Sequence, residues 1–245
     1  MFSRPISNVE RKFRDLRYSI FYSLLRHHGH PLETLGDRTT ECAWTFEPTG
    51  LSASSIVYSA GVGKDITFEH ALVTRYGCFI FLLDPSPTGL ETMARPENQI
   101  SNLRFLPLAL TGHSGDLVIG PPGDPIEASW QVRPTCDGGI AVKSTDLASL
   151  MRKNRHDHVD LLKLDIEGSE YDVIDQIVDR HLDVRQLCVE FHHGMAAVPG
   201  IRRSQTIRAM LRLAWCGYKL IDVSGTNHTF LKRSAATLVA QQSRN

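Results

Sequence analysis

The sequence predicts an α/β domain with a mostly parallel sheet covered by helices, and two observations carry that prediction. Apolar strand-like runs alternate with helix-period segments over most of the 245 residues, as repeated strand-helix-strand units require. The alternation then closes on two strand-like runs, 218–223 and 228–233, flanking Ser224-Gly225-Thr226-Asn227. That ending reads as an antiparallel hairpin, where an ordinary dinucleotide-binding sheet continues with another parallel unit.

Each element has its own justification. Residues 9–28 place Val9, Phe13, Leu16, Ile20 and Leu24 three and four apart, predicting an amphipathic helix that Gly29 and Pro31 end. Strands are predicted at 55–60, 78–83, 104–110, 159–165 and 186–192, and helices at about 66–76, 86–93, 145–154, 169–182 and 202–215. The run Cys78 to Leu83 is the longest apolar stretch, far short of the roughly 20 residues a membrane-spanning helix needs, and reads as a buried strand. The helix after Gly168 carries Val173, Ile174, Ile177, Val178 and Leu182 as one stripe, with Ser169, Glu170 and Asp172 suited to its first turn. Gly217 closes the last helix, and the segment 112–143, with Gly120-Pro121-Pro122-Gly123, reads as a loop or a small added hairpin. The expected division is an N-terminal helical extension over 1–50 and a main domain over 51–245.

Composition excludes several classes. With 27 basic and 27 acidic residues the formal net charge is zero, which argues against a generally basic nucleic-acid binder. The five cysteines (Cys42, Cys78, Cys136, Cys188, Cys216) are odd in number and never form a Cys-x-x-Cys pair, arguing against a disulfide framework and a structural zinc site. Charges recur every few residues at the N-terminus and no secretory-signal pattern is seen, so a soluble, cytoplasmic protein without a membrane partner is expected. The neutrality is segregated: residues 1–30 hold six basic and two acidic residues, residues 201–245 eight and one, and the stretch between carries the acidic excess. A solvated basic helix beside an acidic body explains this, and Arg202 and Arg203 leave room for an anionic ligand approaching from one side.

The chemistry concentrates at predicted strand ends. Ser59-Ala60-Gly61-Val62-Gly63-Lys64-Asp65 is a glycine turn leading into a helix, where the backbone turns sharply and lets a ligand approach the main chain. The third glycine of the dinucleotide fingerprint is missing. Asp84 ends the second strand, 21 positions after Gly63, where a carboxylate can accept hydrogen bonds from both hydroxyls of a ribose. The fourth strand runs into Lys163-Leu164-Asp165-Ile166-Glu167-Gly168-Ser169-Glu170, and the fifth into Glu190-Phe191-His192-His193. Strand alternation would put Asp165 with Glu167, and Glu190 with His192, on one face each. Ligands in open α/β sheets sit beyond the carboxyl ends of strands, so these pairs converge on the crevice.

The segments Val57 to Glu69, Leu83-Asp84-Pro85-Ser86-Pro87 and Leu162 to Glu170 resemble those of FkbM-type methyltransferases, most specifically in the Lys-x-Asp-x-Glu-Gly-x-Glu run. The resemblance covers about residues 42–233. It implies a Rossmann-like class I methyltransferase fold, with a seven-stranded sheet whose last strand is inserted antiparallel. It also implies S-adenosyl-L-methionine as cofactor and, as acceptor, a hydroxyl on a small molecule, glycan or natural product. By the same resemblance Ser59, Gly61 and Gly63 lie against the methionine part, with Asp65 and Glu69 following in the loop and helix start. Asp84 takes the ribose hydroxyls, Pro85 and Ser86 border the adenine, and Ala109-Leu110 flank it, with His113 and Asp116 the nearest polar candidates. Trp44 either roofs the pocket or packs in the core.

Methyl transfer from a sulfonium needs an aligned acceptor and removal of its proton. His192 is the first candidate base, oriented by Glu190 or Asp165, and Asp165 is the second. A divalent metal on Asp165, Glu190 and His192 is the less favoured alternative, since no spacing motif fixes it. An NAD-dependent oxidoreductase would share the glycine turn and the acid at Asp84, but the chain has no Tyr-x-x-x-Lys pair. Gly-x-Ser-x-Gly and His-Glu-x-x-His are also absent, which disfavours a hydrolase. A non-catalytic binding module on the same fold is the remaining alternative, and nothing in the sequence fixes the oligomeric state.

Overall fold

The computed structural model describes residues 22–40, 42–122, 130–133, 137–195, 198 and 200–232. Most of the predicted helix over 9–28 and Cys136 lie outside them; of that helix, residues 22–25 are helical. The helix stops short of its predicted end because Arg26 forms a parallel bridge to Leu220 and an ion pair of 2.6 Å with Asp222.

Two short strands, β1 (Glu33–Leu35) and β2 (Trp44–Phe46), pair antiparallel at the start of the described chain. Strand and helix then alternate: β3 (Ile56–Ala60), α1 (Thr67–Tyr76), β4 (Phe79–Leu83), α2 (Pro87–Ala94) and β5 (Leu103–Leu106). Four strands follow, β6 (Ala109–Leu110), β7 (Gly115–Gly120), β8 (Gln131–Val132) and β9 (Ile140–Thr145). The chain continues as α3 (Leu147–Asn154), β10 (Val159–Leu164), α4 (Glu170–Asp179), β11 (Val184–Glu190), α5 (Arg203–Trp215), β12 (Tyr218–Ser224) and β13 (Asn227–Lys232).

The main sheet has seven strands in the order β12-β13-β11-β10-β3-β4-β5. Its five-strand body is parallel, and β13 lies antiparallel between β11 and β12, as the terminal hairpin predicts. Strand alternation sorts the core into two layers. Val57, Ile80, Leu161 and Cys188 face Trp44, Phe46 and Phe68, while Tyr58, Phe81, Leu162 and Leu187 face Leu147, Ile174 and Leu213. Because both faces are covered, these strands read as continuous apolar runs.

Local chemistry sets the helix ends. Ser86 caps α2 by accepting from Gly89 N, with Pro87 in the first turn, and Asp146 caps α3 by accepting from Ser149 N. Gly77, at φ +68°, ends α1 in the left-handed conformation. Ser169 precedes α4 without a side-chain cap; Glu170 and Asp172 supply the acidic first turn there.

Two predicted elements change. The strand over 104–110 breaks at Pro107, which has no N–H for the ladder, so β5 ends at Leu106 and β6 pairs with β9 instead. The segment 112–143 contributes β7 and β8, and with β9 and β6 these make a separate four-stranded sheet, order β6-β9-β7-β8. Its core is the antiparallel β7-β9 pair.

The fully buried Gln186 ties β2 to the main sheet: its Oε1 accepts from Glu47 N at 2.9 Å and its Nε2 donates to Glu47 O at 3.0 Å. Gln186→Ala strands both backbone groups, and urea unfolding should show a loss of about 2–4 kcal/mol; an unchanged midpoint would show that the two strands do not depend on this link.

Candidate active site

A cavity of about 740 Å³ opens at the carboxyl ends of β3, β4 and β10. Strand order reverses between β3 and β10, the position where open α/β sheets take ligands. Of the residues expected to bind a cofactor, Gly61, Gly63, Asp65, Asp84, Pro85, Ser86, Ala109, Leu110 and Asp165 line it.

The glycine loop is held from below. Gly61 N–H donates to Leu83 O at 2.9 Å, and Asp165 N–H donates to Ala60 O at 3.0 Å. Gly61 has φ +90°, and a Cβ there would stand 1.8 Å from the Asp165 carbonyl oxygen, so only glycine lets the loop pass the end of β10. Lys163, 4% exposed, donates from Nζ to Gly61 O at 2.7 Å, lies 3.6 Å from Glu69 Oε1 and sits over the Trp44 ring. Burial opposes the Lys163 charge, but Glu69 and Asp165 outweigh it and hold the ammonium above its ordinary range. Ser59 donates to Glu69 in the same buried group.

This corrects one sequence expectation and decides between two alternatives for Trp44. Ser59 and Glu69 are absent from the cavity wall and act beneath it, supporting Lys163. Trp44 packs in the core against Phe68 and does not roof the cavity. At the mouth, Asp65 accepts from Thr40 Oγ1 and Thr67 N, both at 2.6 Å; these bonds outweigh its burial and keep its carboxyl below the usual range.

Asp84 is nearly spent on its own loop. Its Oδ2 accepts from Val62 N at 3.0 Å and Gly63 N at 3.1 Å, and its Oδ1 accepts from Ser86 N at 2.8 Å. A carboxylate offers about four acceptor positions, so one remains on Oδ1, room for one ribose hydroxyl where two are expected. A Cβ on Gly89 would stand 2.4 Å from Asp84 Cγ, so this helical glycine admits the carboxylate. Only the break in helix propensity at Gly89 signals this in the sequence. Of the residues expected near an adenine, His113 and Asp116 are absent from the wall, and Asp116 pairs with Lys143 on the surface. Thr111, Ile119 and Trp130 stand there instead, brought in by the four-stranded sheet.

Beside the cavity a set of acids closes on one imidazole. β10 ends at Leu164, and Glu167 takes φ +52°, so strand alternation does not relate Asp165 to Glu167 as predicted. The loop instead brings both to His192 Nε2, Asp165 Oδ1 at 3.6 Å and Glu167 Oε2 at 3.4 Å. Glu170, with no exposed surface, accepts from His192 N at 3.1 Å, faces His192 Nδ1 at 3.2 Å and accepts from Gly168 N at 2.8 Å. Glu170 therefore orients the imidazole, where Glu190 or Asp165 was expected to; its place in the Lys-x-Asp-x-Glu-Gly-x-Glu run is the only sequence signal. Burial pushes the His192 pKa down, but Glu170, Glu167 and Asp165 raise it to about 10. Burial and the neighbouring Asp165 raise Glu190 to about 7, and Thr226 donates to it at 3.0 Å. Neither Glu190 nor His192 lines the cavity; Asp165 and Glu167 do. Arg202 and Arg203 are absent from the wall too, while Lys64 and Arg95 line it.

The methyltransferase FkbM domain matches residues 42–220 of this chain. The chain belongs to that family. Within the FkbM match fall all the cavity residues named above except Thr40. Among curated proteins, the hexuronic acid methyltransferase AglP of Haloferax volcanii is 24% identical over 138 residues, 55% of this chain and 55% of that protein. The chain thus spans about half the length of that relative. Among solved structures, the Methanococcus jannaschii fibrillarin pre-rRNA processing protein has a TM-score of 0.40 at 10% identity, covering 74% of this chain and 66% of that one. A putative methyltransferase from Thermoplasma acidophilum has a TM-score of 0.38 at 8% identity, covering 77% and 72%. No helix among the described residues is long and apolar enough to cross a membrane.

Lys163→Met leaves Glu69 buried without its cation and should cost about 3–5 kcal/mol in urea unfolding. Adding Glu69→Gln should restore part of that loss. A single variant as stable as wild type would remove the support assigned to Lys163.

Proposed function

We propose that this chain transfers a methyl group from S-adenosylmethionine to a hydroxyl oxygen of a small molecule or sugar. One observation carries the reading. A bare glycine loop, an acid at the end of the second parallel strand and a second acid at the end of the fourth line a single cavity at the switch point of the sheet. The residues present fit the cofactor. Gly63 takes φ +57°, which favours glycine, and a Cβ there would meet no atom within 4 Å, so the loop leaves its backbone bare to the cavity. Asp65, Asp84, Asp165 and Glu167 give an acidic lining suited to a cationic ligand. Ala109, Leu110, Ile119 and Trp130 give an apolar wall suited to a flat base.

When bound, the cofactor supplies a methyl group activated by a cationic sulfur. Asp84 offers its remaining Oδ1 position to one ribose hydroxyl, and the Gly61-Gly63 backbone borders the methionine part. Asp165, the member of the predicted catalytic set that lines the cavity, accepts the acceptor's proton as the oxygen is alkylated. His192 sits behind it, 3% exposed, so the base role predicted for His192 passes to Asp165 and His192 positions that carboxylate. The Haloferax relative is named for a hexuronic acid, and Arg95 and Lys64 on the wall offer countercharge to such an acidic sugar.

Calorimetry with S-adenosylmethionine and with NAD tests the cofactor: binding of the first alone is expected, and binding of NAD alone would overturn the reading. Asp84→Ala should weaken S-adenosylmethionine binding roughly tenfold or more, the worth of a hydrogen bond to a charged group. Asp165→Asn should lower turnover by about 10²- to 10⁴-fold. Full activity in that variant would remove Asp165 as the proton acceptor.

A further inference from the structure

We propose that Asp165, Glu190 and His192 form a site for one divalent cation of the Mn²⁺ type at the edge of the cavity. One ligand atom from each lies within 4.8 Å of the others. Two donors sharing an ion at about 2.1 Å stand about 3–3.5 Å apart, and the Asp165 Oδ1 to His192 Nε2 separation is 3.6 Å, so that pair needs only a small side-chain shift to share one.

The second observation is the histidine itself. His192 is 3% exposed, and its Nε2 faces two carboxylates at the cavity edge, Asp165 at 3.6 Å and Glu167 at 3.4 Å. Its other nitrogen is engaged by Glu170, which has no exposed surface and also accepts from the His192 backbone N–H. A buried carboxylate that fixes one ring nitrogen and leaves the other facing carboxylate oxygens is the outer-shell arrangement of metal-binding histidines.

Charge points the same way. Asp165, Glu167, Glu170 and Glu190 surround one imidazole, whose single charge when protonated leaves the four carboxyl groups in excess. The neighbouring cation, Lys163, is directed to Gly61 O and Glu69. Mixed imidazole and carboxylate donors suit a first-row divalent ion, and the three leave coordination positions free. Asp165 lines the cavity, so a free position on that side can take the acceptor oxygen and lower the pKa of its proton. This role rests on the transferase reading; the cation site itself does not.

The test uses full-length chain, free of any affinity tag, stripped with EDTA and titrated with MnCl₂ while free Mn²⁺ is followed by electron paramagnetic resonance. One Mn²⁺ per chain is expected. His192→Ala and Glu190→Gln should weaken it by at least about tenfold, and Glu170→Gln by about 10- to 100-fold, with the thermal melt checking that each variant is folded. No saturable Mn²⁺ binding by folded wild type would overturn the proposal, as would equal binding by all three variants. S-adenosylmethionine calorimetry on the same samples separates the two readings. A wild type that binds Mn²⁺ but no S-adenosylmethionine keeps the cation site and loses the transferase reading; the reverse result loses only the cation site.

Discussion

The buried ammonium of Lys163 connects the core to the site. From the central strand β10 it reaches the Gly61 carbonyl, is balanced by Glu69, and lies against the Trp44 ring. Each contact needs the others. Without Glu69 the charge would be buried unbalanced, and without Gly61 the loop could not pass within contact of the Asp165 carbonyl. Ser59 and Glu69, which resemble cofactor residues by position in the motif, are part of this support. The glycine loop is thus fixed before any ligand arrives, which reduces the ordering cost of binding.

The fold was legible because its signals are periodic. Parallel strands covered on both faces must be continuously apolar, and Cys78 to Leu83 and Val159 to Leu164 are. The terminal hairpin was legible from Ser224-Gly225-Thr226-Asn227, and it fixed the antiparallel edge. What escaped was the effect of one residue without an N–H: Pro107 diverts the chain from β5 into the second sheet. The weakly patterned segment around it gave no sign that Ile119 and Trp130 would reach the cavity.

The site was legible as a set of residues and less so as a set of roles. Asp84, Asp165 and the two glycines line the cavity because strand ends at a switch point leave them nowhere else to go. Which carboxylate serves which neighbour depends on loop geometry that sequence spacing does not encode. Glu167 leaves the strand at positive φ, and Glu170, at the start of α4, reaches back 22 positions short of His192 in sequence to hold its ring. Part of the segregated charge has the same origin: Asp65, Asp84, Asp165, Glu167, Glu170 and Glu190, all from the acidic central stretch, gather at or beside the cavity.

The proposed arrangement puts the cofactor in one cavity with its reacting end beside Asp165. A crystal structure of the chain with S-adenosylhomocysteine tests it most directly. The sulfur is expected between the Gly61-Gly63 loop and Asp165, with a single ribose hydroxyl on Asp84 Oδ1 and the adenine against Leu110 and Trp130. Density for the nucleoside anywhere else, or a ribose bound to both oxygens of an Asp84 that has released Val62 and Gly63, would contradict it.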